Sequence, residues 1–375
     1  MRRKVEKNKE PSKRVLVAMS GGVDSSVAAA LLQKQGYRVE GAYMQCWSSG
    51  PYCSTEKDRS DALRVATQLD IPFQVFDFEK EYKEAVLDYF FAQYQAGRTP
   101  NPDVACNREV KFGIFLHKAL ELGFDYIATG HYARIQNSEF RIRNVPLGKI
   151  EFKKTYKLLK GVDPAKDQSY FLYTLGQEQL KHTLFPIGEY RKKEVREIAG
   201  SLGLVVADKK DSQGICFIGP VNVASFLRQN LKTRLGDVVS LNGEVLGRHD
   251  GLAFYTIGQR EGIRISSSLP HYVVRKKITS NELVVAPIGS EAIYSSQAQI
   301  TNLTFVADEK PKLPLACQVS LRYRQEPQDC RLREDAKQTY SLDFKNPQRA
   351  VTEGQAAVFF VGEQVLGGGA IEKTF

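Results

Sequence analysis

One segment constrains the fold of this chain more than any other, a turn that joins an apolar stretch to a helical one. The turn Ser20-Gly21-Gly22-Val23-Asp24-Ser25-Ser26 follows apolar residues 14–19 and leads into residues 26–35, which have a helical pattern. Two glycines let backbone N–H groups approach an anion, and the start of a helix adds a positive dipole. The serines are expected to supply hydroxyl donors and helix caps. The segment therefore predicts a phosphate site between a strand and a helix.

The alternation of strands and helices continues to about residue 130. Strands are predicted at 39–44, 73–76 and 126–129, and helices at 61–69, 79–95 and 108–122. Strands separated by helices of this length predict an α/β fold with a parallel, doubly wound sheet. Ligands of such sheets bind beyond the carboxyl ends of the strands, so the loops after Met19, Met44 and Thr129 are expected to face one site.

The pattern changes from about residue 206, where glycines become frequent and polar and apolar residues alternate. We therefore predict a basic tail at 1–13, a catalytic domain at 14–205, a small central mostly-β domain at 206–275 and a C-terminal antiparallel β-barrel at 276–375. The segment 137–154 matches no element that the pattern predicts.

Charge and cysteine content limit the partners and the compartment. The 375 residues carry a net charge of +10, which suggests a polyanion such as nucleic acid, although solubility explains such a charge equally well. No apolar stretch approaches about 18 residues, so no membrane span is predicted. Residues 1–13 lack the apolar core of a secretory signal. Six cysteines are too few for a disulfide framework. Their number indicates a reducing compartment, and the cytoplasm is favoured over the mitochondrion.

Cys106 is a candidate reactive thiol. It lies in a polar, proline-containing loop just before the helix predicted at 108–122. A helix N-terminus and the nearby cations Arg108 and Lys111 favour the thiolate form. Asp103, three residues earlier, is placed to shuttle a proton.

The other cysteines carry weaker signals. Cys216 lies among glycines and apolar residues, so composition alone is consistent with a core position. The sequence spacing does not show that it approaches Cys106. Cys46 and Cys53 lack the spacing of a metal site, and Cys317 and Cys330 fall in the predicted barrel, where a structural role is expected.

The turn at 20–26 resembles the pyrophosphate loop of the N-type ATP pyrophosphatases, which cleave ATP to AMP and pyrophosphate. It is not a Walker A loop, because no lysine follows the glycines. With the motifs after it, the chain resembles the tRNA-specific 2-thiouridylase family almost throughout, from Ser20 to Gly369. Those motifs lie, in order, at 99–112, 129–133, 166–172, 214–219, 255–260, 321–324 and 366–369.

The resemblance implies an enzyme that replaces the C2 oxygen of the wobble uridine in tRNA with sulfur. It implies that the C2 oxygen is adenylated by ATP, with Mg²⁺, and that AMP and pyrophosphate are released. Cys216 would carry a persulfide, supplied by a sulfur-relay protein or a cysteine desulfurase. Cys106 would be the nucleophile, which assists sulfur release or forms a transient disulfide with Cys216. Asp103 would be the acid/base. The implied ATP-binding residues are Ala18, Met19, Ser20, Gly21, Gly22, Val23, Asp24, Ser25, Met44 and Gly130.

The resemblance also implies that the RNA partner is the anticodon loop of tRNA. Asn101, Pro102 and Asp103 would contact a flipped target base, whose extrusion costs little in an unpaired loop. Further RNA contacts are implied for His131, Lys166, Asp167, Gln168, Arg322, Tyr323 and Gln355. An iron–sulfur cluster on the two cysteines and Asp103 stays open as an alternative, although four thiolates are usual.

Two other functions compete with this interpretation. A ligase that adenylates a small metabolite would use the same loop without needing RNA, Cys106 or Cys216. A non-catalytic RNA-binding protein would keep its RNA affinity after the loop is disabled. The paired cysteines and the large β region favour the thiolating enzyme over both.

Overall fold

A computed structural model describes residues 12–48, 55–141, 152–211, 216–219, 222–335 and 339–375. The strands of its N-terminal part are β1 (Arg14–Ala18), β2 (Arg38–Gln45), β3 (Phe73–Asp77), β4 (Tyr126–Ala128), β5 (Ala133–Arg141), β6 (Phe152–Lys160) and β7 (Thr183–Leu184). Five of these strands form a parallel sheet in the order β3-β2-β1-β4-β7. The chain therefore fills one side of β1 first and then continues on the other.

Helices cover both faces of this sheet. They are α1 (Val23–Lys34), α2 (Thr55–Gln68), α3 (residues 79–95), α4 (residues 102–121), α5 (Gln177–Lys181) and α6 (Lys192–Ser201), followed by α7 (Val223–Asn230) beyond the sheet. In β1, Leu16 packs into one core while Val15 and Val17 pack into the other. The predicted doubly wound α/β sheet is thus confirmed. Across the described ranges, no helix combines the length and apolarity that crossing a membrane requires.

A smaller sheet follows in the centre of the chain. It contains β8 (Gly236–Val239), β9 (Val245–His249), β10 (His271–Lys277) and β11 (Glu282–Pro287) in the order β10-β11-β8-β9. This arrangement agrees with the predicted small β region. A domain boundary between residues 275 and 276 would fall inside β10, and the division into domains stays a proposal.

The C-terminal region is an antiparallel barrel, as the alternating pattern predicts. Its strands are β12 (Tyr294–Phe305), β13 (Leu315–Ser320), β14 (Gln328–Glu334), β15 (Tyr340–Arg349), β16 (Ala356–Val361) and β17 (Gln364–Thr374). They pair in the order β12-β15-β14-β13-β16-β17, and pairing of β12 with β17 closes the barrel.

A hairpin joins the barrel to the N-terminal part. Strands β5 and β6 pair with each other over nine residues, from Ala133 opposite Lys160 to Arg141 opposite Phe152. β6 then pairs with β17, with Leu158 opposite Val365. Residues 137–141 and 152–154 of these strands belong to the segment 137–154 that matches no predicted element, and residues 142–151 lie outside the described ranges.

Candidate active site

The turn after β1 is tightened by its own serine hydroxyls. The backbone N–H of Ser20 donates to Ser25 Oγ at 3.1 Å, and Ser25 Oγ donates to the Gly22 carbonyl at 3.2 Å. Ser26 Oγ donates to the same carbonyl at 2.8 Å. The expectation that these serines cap the helix is wrong, because Gly22 is the N-cap of α1 and no side chain caps it. The first N–H groups of α1 are therefore left for an anionic ligand.

Two glycines in this region have no room for a side chain. Gly21 has φ +71°, and a Cβ there would lie 2.1 Å from the carbonyl oxygen of Asp58. A Cβ on Gly130, in the loop after β4, would lie 2.7 Å from the backbone nitrogen of Ser25. The loops after β1 and β4 are thus in backbone contact, at the point where the strand order reverses and ligands of such sheets bind.

The other expected ATP residues are buried and offer mainly backbone groups to a ligand. Ala18, Met19, Val23 and Met44 each expose at most 8% of their surface. The N–H of Met19 is already bonded to the Ala42 carbonyl at 2.8 Å.

Asp24 lies in a charged network that the sequence did not reveal. Its carboxylate accepts hydrogen bonds from the Tyr132 hydroxyl and from Lys192 Nζ, both at 2.8 Å. Lys192 also pairs with Asp211 at 2.7 Å, and Lys166, an expected RNA contact, pairs with Asp211 at 2.5 Å. The network ties the turn after β1 to α6, where Lys192 begins the helix.

The two candidate thiols lie side by side, although 110 residues separate them. Cys106 Sγ is 3.5 Å from Cys216 Sγ. The Cys216 N–H donates to Asp103 Oδ1 at 3.3 Å, and the Tyr82 hydroxyl donates to the Cys216 carbonyl at 2.7 Å. Asp103, Cys106 and Cys216 therefore form one cluster, which we call the thiol cluster.

The helix that carries Cys106 begins earlier than the sequence suggested. α4 starts at Pro102, and Asn101 Oδ1 accepts hydrogen bonds from the N–H groups of Asp103 and Val104. Cys106 therefore lies inside the helix rather than in a loop before it. From Cys106 to Ile114 the helix has π geometry, which is common at functional sites.

The electrostatics of the thiol cluster differ between its two sulfurs. Burial raises the pKa of Cys106, and its hydrogen bond to Cys216 raises it further. That hydrogen bond, with the nearby Lys111 ammonium, lowers the pKa of Cys216 despite its burial. These directions favour a thiolate at Cys216, whereas the sequence suggests one at Cys106.

Two further groups complete the surroundings of the thiol cluster. Burial raises the pKa of Asp103, and Lys111 opposes that shift. Burial acts to lower the pKa of Lys111, but Cys216, Cys106 and Asp103 raise it overall. Cys46 is buried near the cluster, and burial and Cys216 raise its pKa. Cys53 lies outside the described residues.

Several expected RNA-contact residues make structural hydrogen bonds. His131 is 7% exposed, packs against Phe112, and shares a 2.7 Å hydrogen bond between its Nδ1 and Thr129 Oγ1. Asp167 accepts from the N–H groups of Gly161 and Ser169. Gln168 Oε1 accepts from the Tyr132 N–H at 3.0 Å. These contacts order the loops around the site, and RNA contact by these residues stays a prediction.

The three barrel residues expected to contact RNA each have a partner within the protein. Tyr323 packs on Phe171 with ring centroids 4.5 Å apart, while Arg322 donates to the Arg349 carbonyl at 2.6 Å. Gln355 Nε2 donates to the Thr99 carbonyl.

The described residues do not fit an iron–sulfur cluster. Among them, no three His, Cys, Asp or Glu side chains are grouped so as to hold a metal ion. The thiol cluster supplies two sulfurs where four thiolates are usual.

Comparison with known proteins covers nearly the whole chain. Three family models match in order: "tRNA methyl transferase HUP domain" at 13–220, "tRNA methyl transferase PRC-barrel domain" at 224–287 and "Aminomethyltransferase beta-barrel domain" at 295–371. The chain is 47% identical over 374 residues to "tRNA-specific 2-thiouridylase MnmA 2" of Geobacillus kaustophilus, covering 98% of this chain and 97% of the relative. It is 45% identical over 377 residues to "tRNA-specific 2-thiouridylase MnmA" of Bacillus subtilis, covering 99% and 98%.

Proposed function

Because this chain belongs to the tRNA-specific 2-thiouridylase family, we propose that it catalyses ATP-dependent 2-thiolation of the wobble uridine in tRNA. The observation that carries the proposal is the 3.5 Å approach of Cys106 and Cys216 in a fold with an anion-binding turn. The family models are described by methyl transfer, but two thiols whose sulfurs lie 3.5 Å apart support sulfur chemistry instead.

The first step activates a poor electrophile. The C2 oxygen of the uridine attacks the α-phosphorus of ATP, and pyrophosphate leaves. The turn at 20–26 and the N-terminus of α1 would hold the phosphates, and Gly130 would let the loop after β4 lie close to them. Mg²⁺ would arrive with ATP as part of the substrate and neutralise phosphate charge.

The second step loads sulfur onto Cys216. The Cys216 thiolate attacks the outer sulfur of a donor persulfide, so that Cys216 becomes a persulfide and the donor leaves as a thiol. The lowered pKa of Cys216 supports this role, because the thiolate is the nucleophile. The donor would be a sulfur-relay protein or a cysteine desulfurase.

The third step transfers the sulfur. The outer sulfur of the Cys216 persulfide attacks C2, and AMP leaves with the former C2 oxygen. The Cys106 thiolate then attacks Cys216 Sγ, and the S–S bond breaks toward the RNA to give 2-thiouridine and a Cys106–Cys216 disulfide. Asp103 would accept the Cys106 proton, since burial raises the pKa of its carboxyl group. A dithiol reductant returns both cysteines to thiols.

The RNA partner would be the anticodon loop of a tRNA. Asn101, Pro102 and Asp103 lie at the start of α4, one helical turn from Cys106, where a flipped base would meet the thiol cluster. Tyr323 adds an aromatic ring at the edge of the barrel, and Arg322 lies beside it. We place the reaction in the cytoplasm, where thiols stay reduced.

The test combines purified protein with ATP, Mg²⁺, a persulfide source and unmodified tRNA. Thiolated RNA is retarded in a mercury-containing gel, and AMP is measured in parallel. We expect wild type to give a retarded band that Cys106→Ser and Cys216→Ser both lose. Cys317→Ser is the matched control, because Cys317 is a buried thiol of the barrel.

Each alternative outcome points to a different function. AMP formation without a retarded band would support the small-metabolite ligase. RNA binding without AMP or a band would support a non-catalytic RNA-binding protein. A band that survives Cys216→Ser would contradict the persulfide step, because sulfur would then reach the RNA by another route.

A further inference from the structure

A cavity of about 350 Å³ lies between the N-terminal domain and the barrel. Val104 and Arg108 of α4 line it, whereas Asp103 and Cys106 of the same helix belong to the thiol cluster. Helix positions three or four apart share a face, so the cavity and the thiol cluster lie on opposite sides of α4. Since a helix with its side chains is about 10 Å wide, an occupant of the cavity would lie about 10 Å from the reacting sulfurs.

The walls of the cavity offer two flat aromatic rings. Tyr89 of α3 and Tyr173 both line the cavity, and Tyr89 is 36% exposed while Tyr173 is buried. Arg108 of α4 lines the same cavity as these two tyrosines. The Arg108 guanidinium pairs only with its neighbour Glu109 among the ion pairs of the described residues, and its side chain is 47% exposed.

Polar groups complete the lining. Asn302 and Thr304 of the barrel face the cavity together with Thr174. The Thr174 hydroxyl is buried and has no hydrogen-bond partner in the described chain. A buried hydroxyl without a partner costs free energy, so one residue of the cavity lining carries an unsatisfied polar group.

These groups match one nucleotide better than other ligands. Aromatic rings stack on a base, amide and hydroxyl groups bond to its polar edge, and a guanidinium binds phosphate. The cavity volume suits a single small ligand rather than a helix or a strand. Asn101 also lines the cavity, and it caps the helix of the thiol cluster. An occupant would therefore touch the residue at which the target base is expected to enter.

We infer that this cavity, the flanking-nucleotide cavity, binds a nucleotide next to the target uridine in the same RNA loop. The inference rests on the proposed function, because it takes RNA as the substrate. It adds a second anchoring point, about one helix width from the reaction, that would hold the loop while the target base is turned toward the thiol cluster.

The test measures binding of an unmodified anticodon stem-loop to the full chain by fluorescence anisotropy. The intact RNA is compared with two RNAs that lack the base on either side of the target uridine. We expect wild type to lose about 5- to 150-fold in affinity for one of them, the range for one stacked base. Tyr89→Ala should bind the intact RNA about as weakly as wild type binds that abasic RNA. Its affinity should not fall further when the base is removed.

Three variants make the result specific. Tyr89→Phe keeps the ring and should behave as wild type. Arg108→Ala, on another wall, should also weaken binding of the intact RNA. Tyr294→Ala is the matched control, because Tyr294 is an exposed tyrosine at the far end of β12 from Asn302 and should keep the full abasic penalty.

The outcomes separate this inference from the proposed function. If removing either flanking base lowers the RNA affinity of wild type and of Tyr89→Ala by the same factor, nucleotide binding in the flanking-nucleotide cavity is overturned. This holds even if the RNA is thiolated. If wild type loses affinity for an abasic RNA, Tyr89→Ala does not, and wild type gives no thiolated product, nucleotide binding in the cavity is supported and the sulfur transfer is contradicted. Failure of wild type to bind the stem-loop would overturn both.

Discussion

Gln355 of the barrel donates a hydrogen bond from Nε2 to the carbonyl oxygen of Thr99 at 2.7 Å, two residues before the N-cap of α4. The Thr99 N–H in turn donates to the Glu353 carbonyl at 2.9 Å. The barrel thus holds the segment that positions Asp103 and Cys106. Because catalysis is sensitive to small displacements of reacting groups, we expect the barrel to contribute to the proposed reaction as well as to the proposed RNA contact.

Replacing Gln355 by Met should separate these two contributions. The variant removes the amide donor but keeps the side-chain length, so we expect the thiolation rate constant to fall roughly tenfold with RNA affinity within about twofold. Single-turnover kinetics and a binding titration measure the two quantities. Gln136→Met, at an exposed glutamine of β5, is the control. A loss of RNA affinity with an unchanged rate constant would instead show direct RNA contact by Gln355.

The charge of Lys111 should determine how reactive Cys216 is. A nearby cation favours the thiolate, so Lys111→Met is expected to raise the pKa of Cys216 and slow its alkylation at pH 7 several-fold. The alkylation rate, followed from pH 5 to pH 10 with the product located by peptide mass, should have its midpoint shifted to higher pH. Lys111→Arg keeps the charge and should retain the wild-type profile. Identical profiles for Lys111→Met and wild type would contradict this account.

Asp211 should make folding stability depend on pH in the acidic range. Burial acts to raise its pKa, but hydrogen bonds from Lys166 and Lys192 lower it to about 2. Ionised Asp211 therefore stabilises the folded state above its unfolded pKa of about 3.9, and this stability is lost as the pH falls toward 2. Since Asp211 is partly exposed, we expect Asp211→Asn to lower the free energy of unfolding by about 1 kcal/mol at pH 7.

Denaturant titrations of wild type and Asp211→Asn at several pH values test this expectation. The difference between the two proteins should be constant from pH 7 to about pH 5 and shrink below about pH 4. Glu178→Gln, which removes an exposed carboxylate, serves as the control. A difference that grows as the pH falls would have the wrong sign.

Gly130 should tolerate no side chain. A Cβ there would lie 2.7 Å from Ser25 N, so Gly130→Ala is expected to push the loop after β4 away from the turn after β1. We expect at least a tenfold loss of ATP affinity in an equilibrium binding measurement, because the anion-binding N–H groups shift. Gly200→Ala is the matched control: nothing lies within 4 Å of its Cβ, and alanine in helix α6 should stabilise the protein by up to about 1 kcal/mol. Unchanged ATP affinity in Gly130→Ala would rule out this close contact as a requirement.

The sequence predicted those parts of the fold that depend on local signals. The turn at 20–26, with a strand before it and a helix after it, gave the α/β class, and alternation of residue types gave the barrel. The start of α4 also has a local signal, since Asn101 followed by Pro102 is a typical helix cap with proline in the first turn.

Contacts between distant residues could not be predicted in the same way. The spacing of Cys106 and Cys216 contains no information on their approach, which depends on the fold that brings 216–219 beside α4. The thiolate was assigned to Cys106 from charge and helix position, but burial has the larger effect there. Lys192 and Tyr82 had no sequence signal, because each acts through a partner more than 100 residues away.

The pairing of β6 with β17 has a consequence for how the chain is made. About 200 residues separate the two strands, so at 5–20 residues per second a ribosome needs about 10 to 40 s to deliver β17 after β6. During that interval the backbone groups of β6 that later bond to Gln364 and Val365 form an open strand edge, which can pair with other chains. The growing polypeptide therefore carries an open strand edge, where other chains can pair, from the synthesis of β6 until that of its last strand.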